Sequence, residues 1–165
     1  LKPYIQISEA FRRKQDTLHF IKKAEKDTLA VYKYPEGTLV DLNEADTTEL
    51  KKIPGIGSGI ARMIVAYRKR LGGFYDMAQL KEVNYVDEDM LRWFKLGNAP
   101  IHRINANKAG LDRLRAHPYI NYYQARVIIE FRRKKDKLKS LSQLSLYEEF
   151  TEKDLKRLSH YLTFD

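Results

Sequence analysis

An internal repeat restricts how this chain of 165 residues can fold more than any other feature of its sequence. Adding 64 to a residue number in the first copy gives the matching residue in the second copy, without a gap. Self-similarity at a fixed period is typical of tandem structural units, so two small units of about 60 residues are expected. Each can bury only a modest core, and the two are expected to pack on one another or on a neighbour. The matching pairs are Asn43 and Asn107, Ala45 and Ala109, Leu50 and Leu114, Pro54 and Pro118, Ile56 and Ile120, Ala61 and Ala125, Arg62 and Arg126, Ile64 and Ile128, Arg68 and Arg132, Gln79 and Gln143, and Leu91 and Leu155.

A glycine hairpin occurs at residues 53–57 of the first copy, between two segments of helical apolar pattern. Gly55 and Gly57 permit positive φ and carry no Cβ, so neighbouring amide N–H groups can converge on one anion. The hairpin also lies at the N-terminus of the second helix, where the macrodipole favours negative charge. We therefore predict an anion-binding hairpin whose ligand is a phosphate.

Capping and stop signals predict several short helices in the first copy. Asp46 is expected to cap the first helix. Ser58 is expected to cap a longer helix that ends near Leu71, because the glycines at 72–73 act as a C-terminal stop. Asp76 is expected to open a third helix, and a run of acidic residues a fourth.

The second copy follows the same plan, with a long helix from about Tyr122 and a close near Leu158. Both copies are therefore predicted to be all-α. The predicted domain boundaries place the first unit at residues 40–98 and the second at 99–165.

Residues 8–39 contain no copy of the repeat and are dense in alternating charges. Their apolar residues fall near helical spacing, which indicates a charged linker with one or two helical stretches. Residues 1–7 resemble residues 158–164 at the end of the second unit. The chain is therefore expected to begin with the tail of an upstream unit.

Charge indicates an acidic partner. Lysine and arginine outnumber aspartate and glutamate by 31 to 22, which gives a net charge of +9. A folded basic protein suits a polyanion. Cysteine is absent, which excludes disulfides and thiolate zinc sites, and the four histidines lack metal-ligand spacing. No apolar run approaches the roughly 20 residues of a transmembrane helix.

Basic clusters follow both long helices, at residues 68–70 and 132–135. About ten residues on a helix correspond to around 15 Å, so a cluster and its hairpin can reach the same duplex. Flexible basic side chains would add affinity that does not depend on sequence, through counterion release. The alternative is a solvated charged face.

The first unit resembles the helix-hairpin-helix unit of the competence DNA receptor ComEA and its relatives, strongly over residues 40–98 and more weakly over 104–164. The resemblance implies compact SAM-like bundles of four to five helices, preceded here by the charged extension. It also implies binding of duplex DNA through main-chain amides, without reading sequence. The residues that carry it are Asn43, Ala45, Leu50, Ile53-Pro54-Gly55-Ile56-Gly57, Ala61, Ile64, Tyr67-Arg68 and Gly73-Phe74.

The resemblance also implies a set of site residues. A monovalent cation, Na⁺ or K⁺, would be held by the carbonyls of Lys51, Ile53 and Ile56, and no other cofactor is expected. The residues expected to bind nucleic acid are Pro54, Gly55, Ile56, Gly57, Ser58, Gly59, Ile60, Arg62, Arg68, Lys69 and Arg70.

The second unit departs from this pattern because Tyr119 and Asn121 replace the two hairpin glycines. A tyrosine adds a bulky side chain where a phosphate would approach, so a weaker second site or a purely structural hairpin is expected. His117 is expected to be a hydrogen-bonding turn residue and not a base. The residues of the weaker site are Tyr119, Asn121, Tyr122, Arg126, Arg132, Arg133 and Lys134.

The predicted function is sequence-independent binding of double-stranded DNA by a protein that is not an enzyme. The resemblance extends this to DNA uptake at the cell envelope or periplasm, with uptake proteins as partners and a membrane anchor outside this sequence. A cytoplasmic location stays open, and no small-molecule substrate is expected. The alternatives are a protein-interaction or envelope scaffold and the DNA-holding part of a repair enzyme.

Overall fold

A computed structural model describes residues 32–165 of the chain. The expectations for residues 1–31, a charged helical linker and the tail of an upstream unit, lie outside the described residues. Residues Lys33–Asp165 form one compact unit that contains both copies of the repeat. Below, the first repeat is residues 40–98 and the second repeat is residues 99–165.

The first repeat is built from short helices around one long helix. Its N- and C-terminal ends meet in a parallel pair of two-residue strands. The elements in chain order are β1 (Val40–Asp41), α1 (Thr47–Leu50), α2 (Ser58–Leu71), a 3₁₀ helix (Met77–Glu82), α3 (Glu88–Leu91) and β2 (Phe94–Lys95).

The second repeat has the same order of elements, which confirms the all-α tandem fold. The elements are β3 (Ile104–Asn105), α4 (Leu111–Arg115), α5 (Tyr122–Lys135), a 3₁₀ helix (Leu141–Gln143), α6 (Glu152–Leu158) and β4 (Leu162–Thr163).

The helix ends follow from local capping chemistry. The Asp46 side chain accepts hydrogen bonds from the N–H groups of Thr48 and Glu49, at 2.7 and 2.8 Å, as predicted. Gly72 ends α2 in the left-handed conformation, with φ 92°. The N-cap of α2 is Gly57 and not Ser58, because the backbone of Gly57 is extended (φ −94°, ψ 177°) and Ser58 is already helical.

The two strand pairs were not predicted from the sequence. Val40 pairs with Phe94 in the first repeat, and Ile104 pairs with Leu162 in the second. Leu162 therefore follows Phe94 by 68 positions, four more than the spacing of the hairpins. The helix α6 is three residues longer than α3 and the loop that follows it is one residue longer, so the gapless register ends within the last helix.

Equivalent asparagines fix the loop after each long helix. Asn43 exchanges two hydrogen bonds with the backbone of Phe74, at 2.9 and 2.8 Å. Asn107 makes the same pair of bonds with Leu138, both at 2.8 Å. The repeated asparagines are thus structural, because they satisfy buried backbone groups of an irregular segment.

The repeats pack on one another through a hydrogen-bonded junction. Gln79 of the first repeat donates from Nε2 to the hydroxyls of Tyr119 and Tyr161, both at 2.8 Å. The Tyr161 hydroxyl in turn donates to the carbonyl of Gly73, at 2.9 Å. Tyr161 is fully buried and belongs to the core of the first repeat. The two repeats therefore share packing, as the small size of each predicts.

Candidate nucleic-acid interface

Hairpin 1, residues 53–57, joins α1 to α2 in a tight turn. The N–H of Ile56 donates to the carbonyl of Ile53 at 3.1 Å, and both isoleucine side chains are buried. Gly55 has φ 84°, a conformation that favours glycine. Gly57 has an ordinary extended backbone, so only the first of the two predicted glycines is required by its φ.

The outer face of hairpin 1 is open. Gly55, Gly57, Ser58 and Gly59 are exposed. A Cβ added to Gly57 or Gly59 would meet no atom of the described residues within 4 Å. A Cβ at Gly55 would lie 3.1 Å from the Met90 side chain. The backbone at positions 57 and 59 is therefore reachable by a ligand, and side chains there would obstruct it.

The first turn of α2 lacks a side-chain cap from any described residue. The first N–H groups of a helix have no partner within the helix. At positions 58–60 they carry the positive end of the helix dipole, beside the exposed backbone of Gly57 and Gly59. This arrangement can bind one phosphate oxygen or more through main-chain donors alone.

Hairpin 2, residues 117–121, is closed by its own side chains. The Asn121 side chain accepts from the N–H of Gln124 at 2.9 Å, and Gln124 Oε1 accepts from the N–H of Asn121 at 3.0 Å. The N–H of Tyr119 donates to His117 Nδ1 at 3.2 Å. These amides already have acceptors, which separates hairpin 2 from hairpin 1.

Tyr119 lies at the junction between the repeats. Its hydroxyl donates to Glu82 Oε2 at 2.8 Å, and its ring lies under the guanidinium of Arg157, 4.7 Å from the ring centroid. Burial raises the pKa of Tyr119 to about 12, so the hydroxyl stays protonated as a donor. Tyr67 donates to the same Glu82 oxygen. The Glu82 carboxylate therefore binds three side chains, since it also forms an ion pair with Arg157 at 3.2 Å.

His117 is a buried turn residue, as expected. Its Nδ1 accepts the N–H of Tyr119, so the proton lies on Nε2, which donates to the carbonyl of Leu71 at 3.0 Å. Burial lowers the pKa of His117 to about 4, although the bond to Leu71 acts in the opposite direction. The neutral imidazole thus joins the second repeat to the end of α2.

Arg68 and Arg132 occupy matching positions and make matching backbone contacts. Arg68 Nη1 donates to the carbonyls of Leu42 and Ala45, at 2.9 and 2.8 Å. Arg132 Nη1 donates to Ala106 and Ala109, at 2.9 and 2.6 Å. Both guanidinium groups are half-buried, so their recurrence has a structural explanation: each ties the long helix to the turn before α1 or α4. Phosphate binding by either arginine stays a prediction.

The remaining basic residues of the first repeat are more exposed. Lys69 is exposed on α2, and Arg70 donates from Nε to the carbonyl of Ala116 at 3.3 Å. Arg62 is exposed one turn after hairpin 1 and donates to the carbonyl of Ser58 at 3.2 Å. Phosphate binding by these three side chains stays a prediction.

In the second repeat, the predicted cations are partly paired. Arg126 and Lys134 both contact Glu130, at 2.8 and 3.6 Å. Arg133 is exposed, and Tyr122 is exposed beside Tyr123, with ring centroids 5.6 Å apart. The predicted residues of the second repeat therefore do not form one site: Tyr119 is at the junction, whereas Tyr122 and the cations lie along α5.

A basic cleft of about 410 Å³ opens between the repeats, and sequence reasoning did not predict it. It combines cations of α2 and α4 with the loop between the repeats, so only the packing of the two repeats creates it. Its lining residues are Asn43, Arg68, Lys69, Gly72, Gly73, Ala99, Pro100, His102 and Arg113.

The carbonyl side of hairpin 1 contains a cation that belongs to the chain. The carbonyls of Lys51, Ile53 and Ile56 converge, as the resemblance implies, and the ammonium of Lys33 lies among them. A monovalent metal ion does not fit there together with this ammonium. Lys33 was not predicted as part of the site, because it lies in the segment assigned to the linker.

Other site types find no support in the described residues. Within residues 32–165, no group of three or more histidine, aspartate or glutamate side chains could hold a metal ion. In the same range, no helix has the length and apolar character needed to cross a membrane.

The helix-hairpin-helix motif matches two segments of the chain, residues 36–93 and 100–163. These segments contain hairpin 1 and hairpin 2, and together they cover most of the chain. The chain therefore belongs to the helix-hairpin-helix family, whose motif is associated with nucleic-acid binding. Comparison with curated proteins and with solved structures found no match.

Proposed function

We propose that this protein binds duplex DNA without sequence preference, and that the backbone amides of hairpin 1 form the main contact. The observation that carries the proposal is the difference between the hairpins. The amides after Gly57 have no side-chain cap, whereas in hairpin 2 the N–H groups of Tyr119, Asn121 and Gln124 donate to the side chains of His117, Gln124 and Asn121, respectively. A helix start with free donors and no obstructing side chain is suited to a phosphate.

The basic side chains around hairpin 1 extend this contact. Backbone amides fix the position of one phosphate, while Arg62, Lys69 and Arg70 add affinity by releasing counterions. Contacts of this kind reach only the sugar-phosphate backbone. The protein is therefore expected to bind unrelated duplexes alike, with dissociation constants of roughly 10⁻⁴–10⁻⁶ M at physiological salt.

The biological setting is proposed from resemblance alone. The similarity of residues 43–74 to the competence DNA receptor ComEA supports a role in DNA uptake at the cell envelope. The protein is proposed to hold DNA and not to act on it chemically, because the acidic residues at helix starts act as caps. Asp46, Asp76 and Asp87 each accept hydrogen bonds from backbone N–H groups.

A titration of labelled duplexes tests the proposed function. Fluorescence anisotropy with two unrelated duplexes should give overlapping curves that weaken together as salt rises. A third curve with a single strand of one duplex establishes whether two strands are required. A scaffold protein would bind none of them at low salt, and that result would overturn the proposal.

A further inference from the structure

Lys33 is distant from hairpin 1 in sequence but reaches its carbonyl side. Its Nζ lies 2.6 Å from the carbonyl of Lys51, 3.1 Å from that of Ile53 and 3.4 Å from that of Ile56. An ammonium has three N–H donors and no acceptor, so it matches three carbonyls in number and in charge. We propose that Lys33 is the built-in cation of hairpin 1 and takes the place of an exchangeable Na⁺ or K⁺.

The three carbonyl dipoles converge and repel one another, although the carbonyl of Ile53 also accepts the N–H of Ile56. Lys51 follows the last residue of α1, where helix carbonyls have no partner within the helix and carry partial negative charge. The turn then brings the carbonyls of Ile53 and Ile56 to the same place. The side chains of Ile53 and Ile56 are buried, so the backbone cannot turn these dipoles away without unpacking the core. A cation among them offsets their repulsion.

The chain next to Lys33 is fixed against the same turn. The N–H of Tyr34 donates to the carbonyl of Lys52 at 2.8 Å, and Lys52 Nζ lies 5.5 Å from the centroid of the Tyr34 ring. This short segment holds the lysine backbone close to the carbonyls, so ordering the side chain costs less entropy than it would from a free chain.

The second repeat differs at the corresponding position. Residue 97, which is 64 positions after Lys33, is glycine and supplies no ammonium. Hairpin 2 is instead held by the capping pair of Asn121 and Gln124 and by His117. Lys33 is thus found at hairpin 1, the hairpin whose helix-start amides have no side-chain cap. In the proposed function, the backbone of this hairpin determines the position of a phosphate.

The proposal predicts a fold whose stability does not depend on the identity of the monovalent cation. The test is the melting temperature of the protein in choline, sodium and potassium chloride at equal concentration. Choline is too large to enter a three-carbonyl site. The variants are Lys33→Ala, which leaves room for an ion, and Lys153→Ala, which removes the same charge from an exposed site on α6.

The unchanged protein and Lys153→Ala should melt at the same temperature in all three salts. Lys33→Ala should melt about 3–5 °C lower in choline chloride and recover in sodium or potassium chloride. If the unchanged protein also requires sodium or potassium, an exchangeable ion occupies the site and the proposal is wrong. A Lys33→Ala protein that matches Lys153→Ala in choline, or stays unfolded in every salt, would also contradict it.

A second measurement needs no variant. Thallium(I) substitutes for potassium and is observable by ²⁰⁵Tl NMR, and the unchanged protein should not broaden its signal in a saturable way. Saturable broadening would show a free cation site and overturn the proposal. Both measurements are independent of DNA, so their failure is distinguishable from failure of the proposed function.

Discussion

Gly57 is a single residue whose missing side chain matters for binding and not for folding. Its backbone is one that any residue adopts, and a Cβ there would meet no atom of the described chain within 4 Å. Folding therefore does not require glycine at this position. The absence of a side chain instead leaves the amides at the start of α2 within reach of a ligand.

A Gly57→Asn change should weaken DNA binding without weakening the fold. Asparagine is a good N-cap, and its side chain would both obstruct the approach and engage an amide, as Asn121 does in hairpin 2. We expect at least a roughly tenfold loss of affinity, about 1.4 kcal/mol. Anisotropy titrations and thermal melts measure the two effects separately.

Gly110→Asn is the matched control for this change. Gly110 is also an N-cap with open space around its Cβ position, but it precedes α4 in the second repeat. The control should gain a cap and keep its affinity for DNA. Equal losses in the two variants would mean that hairpin 1 is not the main contact.

Arg68 and Lys69 are neighbours with different expected roles. Arg68→Gln removes two hydrogen bonds from a charged group to buried backbone, so it should lower the free energy of unfolding by about 1.5–3 kcal/mol. Lys69→Gln should change it by no more than about 0.5 kcal/mol, since the side chain is exposed.

The same pair separates structure from phosphate contact. Lys69→Gln should reduce the slope of log K against log salt by about 0.9, the value for one lost phosphate contact. Urea denaturation and a salt series of binding titrations provide the two measurements. An unchanged slope would identify Lys69 as part of a solvated face.

Among the elements, the C-terminal end of α2 makes a contact whose strength depends on pH. The end of α2 offers the carbonyl of Leu71 to the neutral imidazole of His117, across the junction. Arg70 and Arg113 lie near enough to lower the pKa of this histidine further. A positive charge on His117 is therefore unfavourable where the long helix of the first repeat meets the hairpin of the second.

Acid should weaken this contact. The unfolded chain takes up the His117 proton near pH 6.5 and the folded protein only near pH 4. The stability contributed by the neutral imidazole is therefore complete above pH 6.5 and is lost as the pH falls toward 4. The loss approaches about 1.4 kcal/mol per pH unit within this window.

Urea denaturation at several pH values, compared with His117→Gln, measures this contribution. The carboxylates titrate alike in both proteins, so the difference between the two curves isolates the histidine. The variant should be less sensitive to acid than the unchanged protein. Parallel curves from pH 7.5 to 4 would contradict the assignment.

The elements differ in how well the sequence predicts them. Asp46 and Gly72 were predicted correctly, because a cap and a left-handed stop depend on local backbone chemistry. The strands containing Val40 and Phe94 were missed, because two paired residues leave no local pattern and their partners are far apart in sequence.

The candidate site was predictable to a similar extent. The glycines of hairpin 1 were recognisable, because open backbone requires small residues. Arg68 was interpreted from its charge, its recurrence at Arg132 and the family resemblance, but its contacts depend on a turn 23 and 26 residues earlier. Lys33 was assigned to a linker, since no periodic pattern connects a lysine with carbonyls 18 to 23 residues later.

The junction makes one molecule from two repeats. Gln79, Tyr161 and Gly73 form a buried chain of hydrogen bonds, and every buried polar side-chain atom of the described residues has a partner. A network of this kind fixes one relative arrangement, because any shift leaves buried groups unpaired. The whole unit is therefore expected to unfold in a single transition.

Tyr161→Phe tests the junction with the removal of a single oxygen. The change leaves the Gly73 carbonyl without its donor and Gln79 Nε2 without one acceptor. The free energy of unfolding should fall by about 1–3 kcal/mol. Tyr123→Phe, at an exposed ring on α5, is the control and should have little effect. A Tyr161→Phe protein as stable as the control would show that the network contributes nothing.

Tyr119 stands where the first repeat has Gly55, and its hydroxyl and ring are used at the junction. Hairpin 2 thus contacts the first repeat, whereas the outer face of hairpin 1 is exposed. At this position the second repeat uses a side chain that holds the two repeats together, and the first repeat leaves open backbone. The two repeats are therefore complementary. A protein with two copies of the first repeat would lack the junction, and one with two copies of the second would lack the open turn.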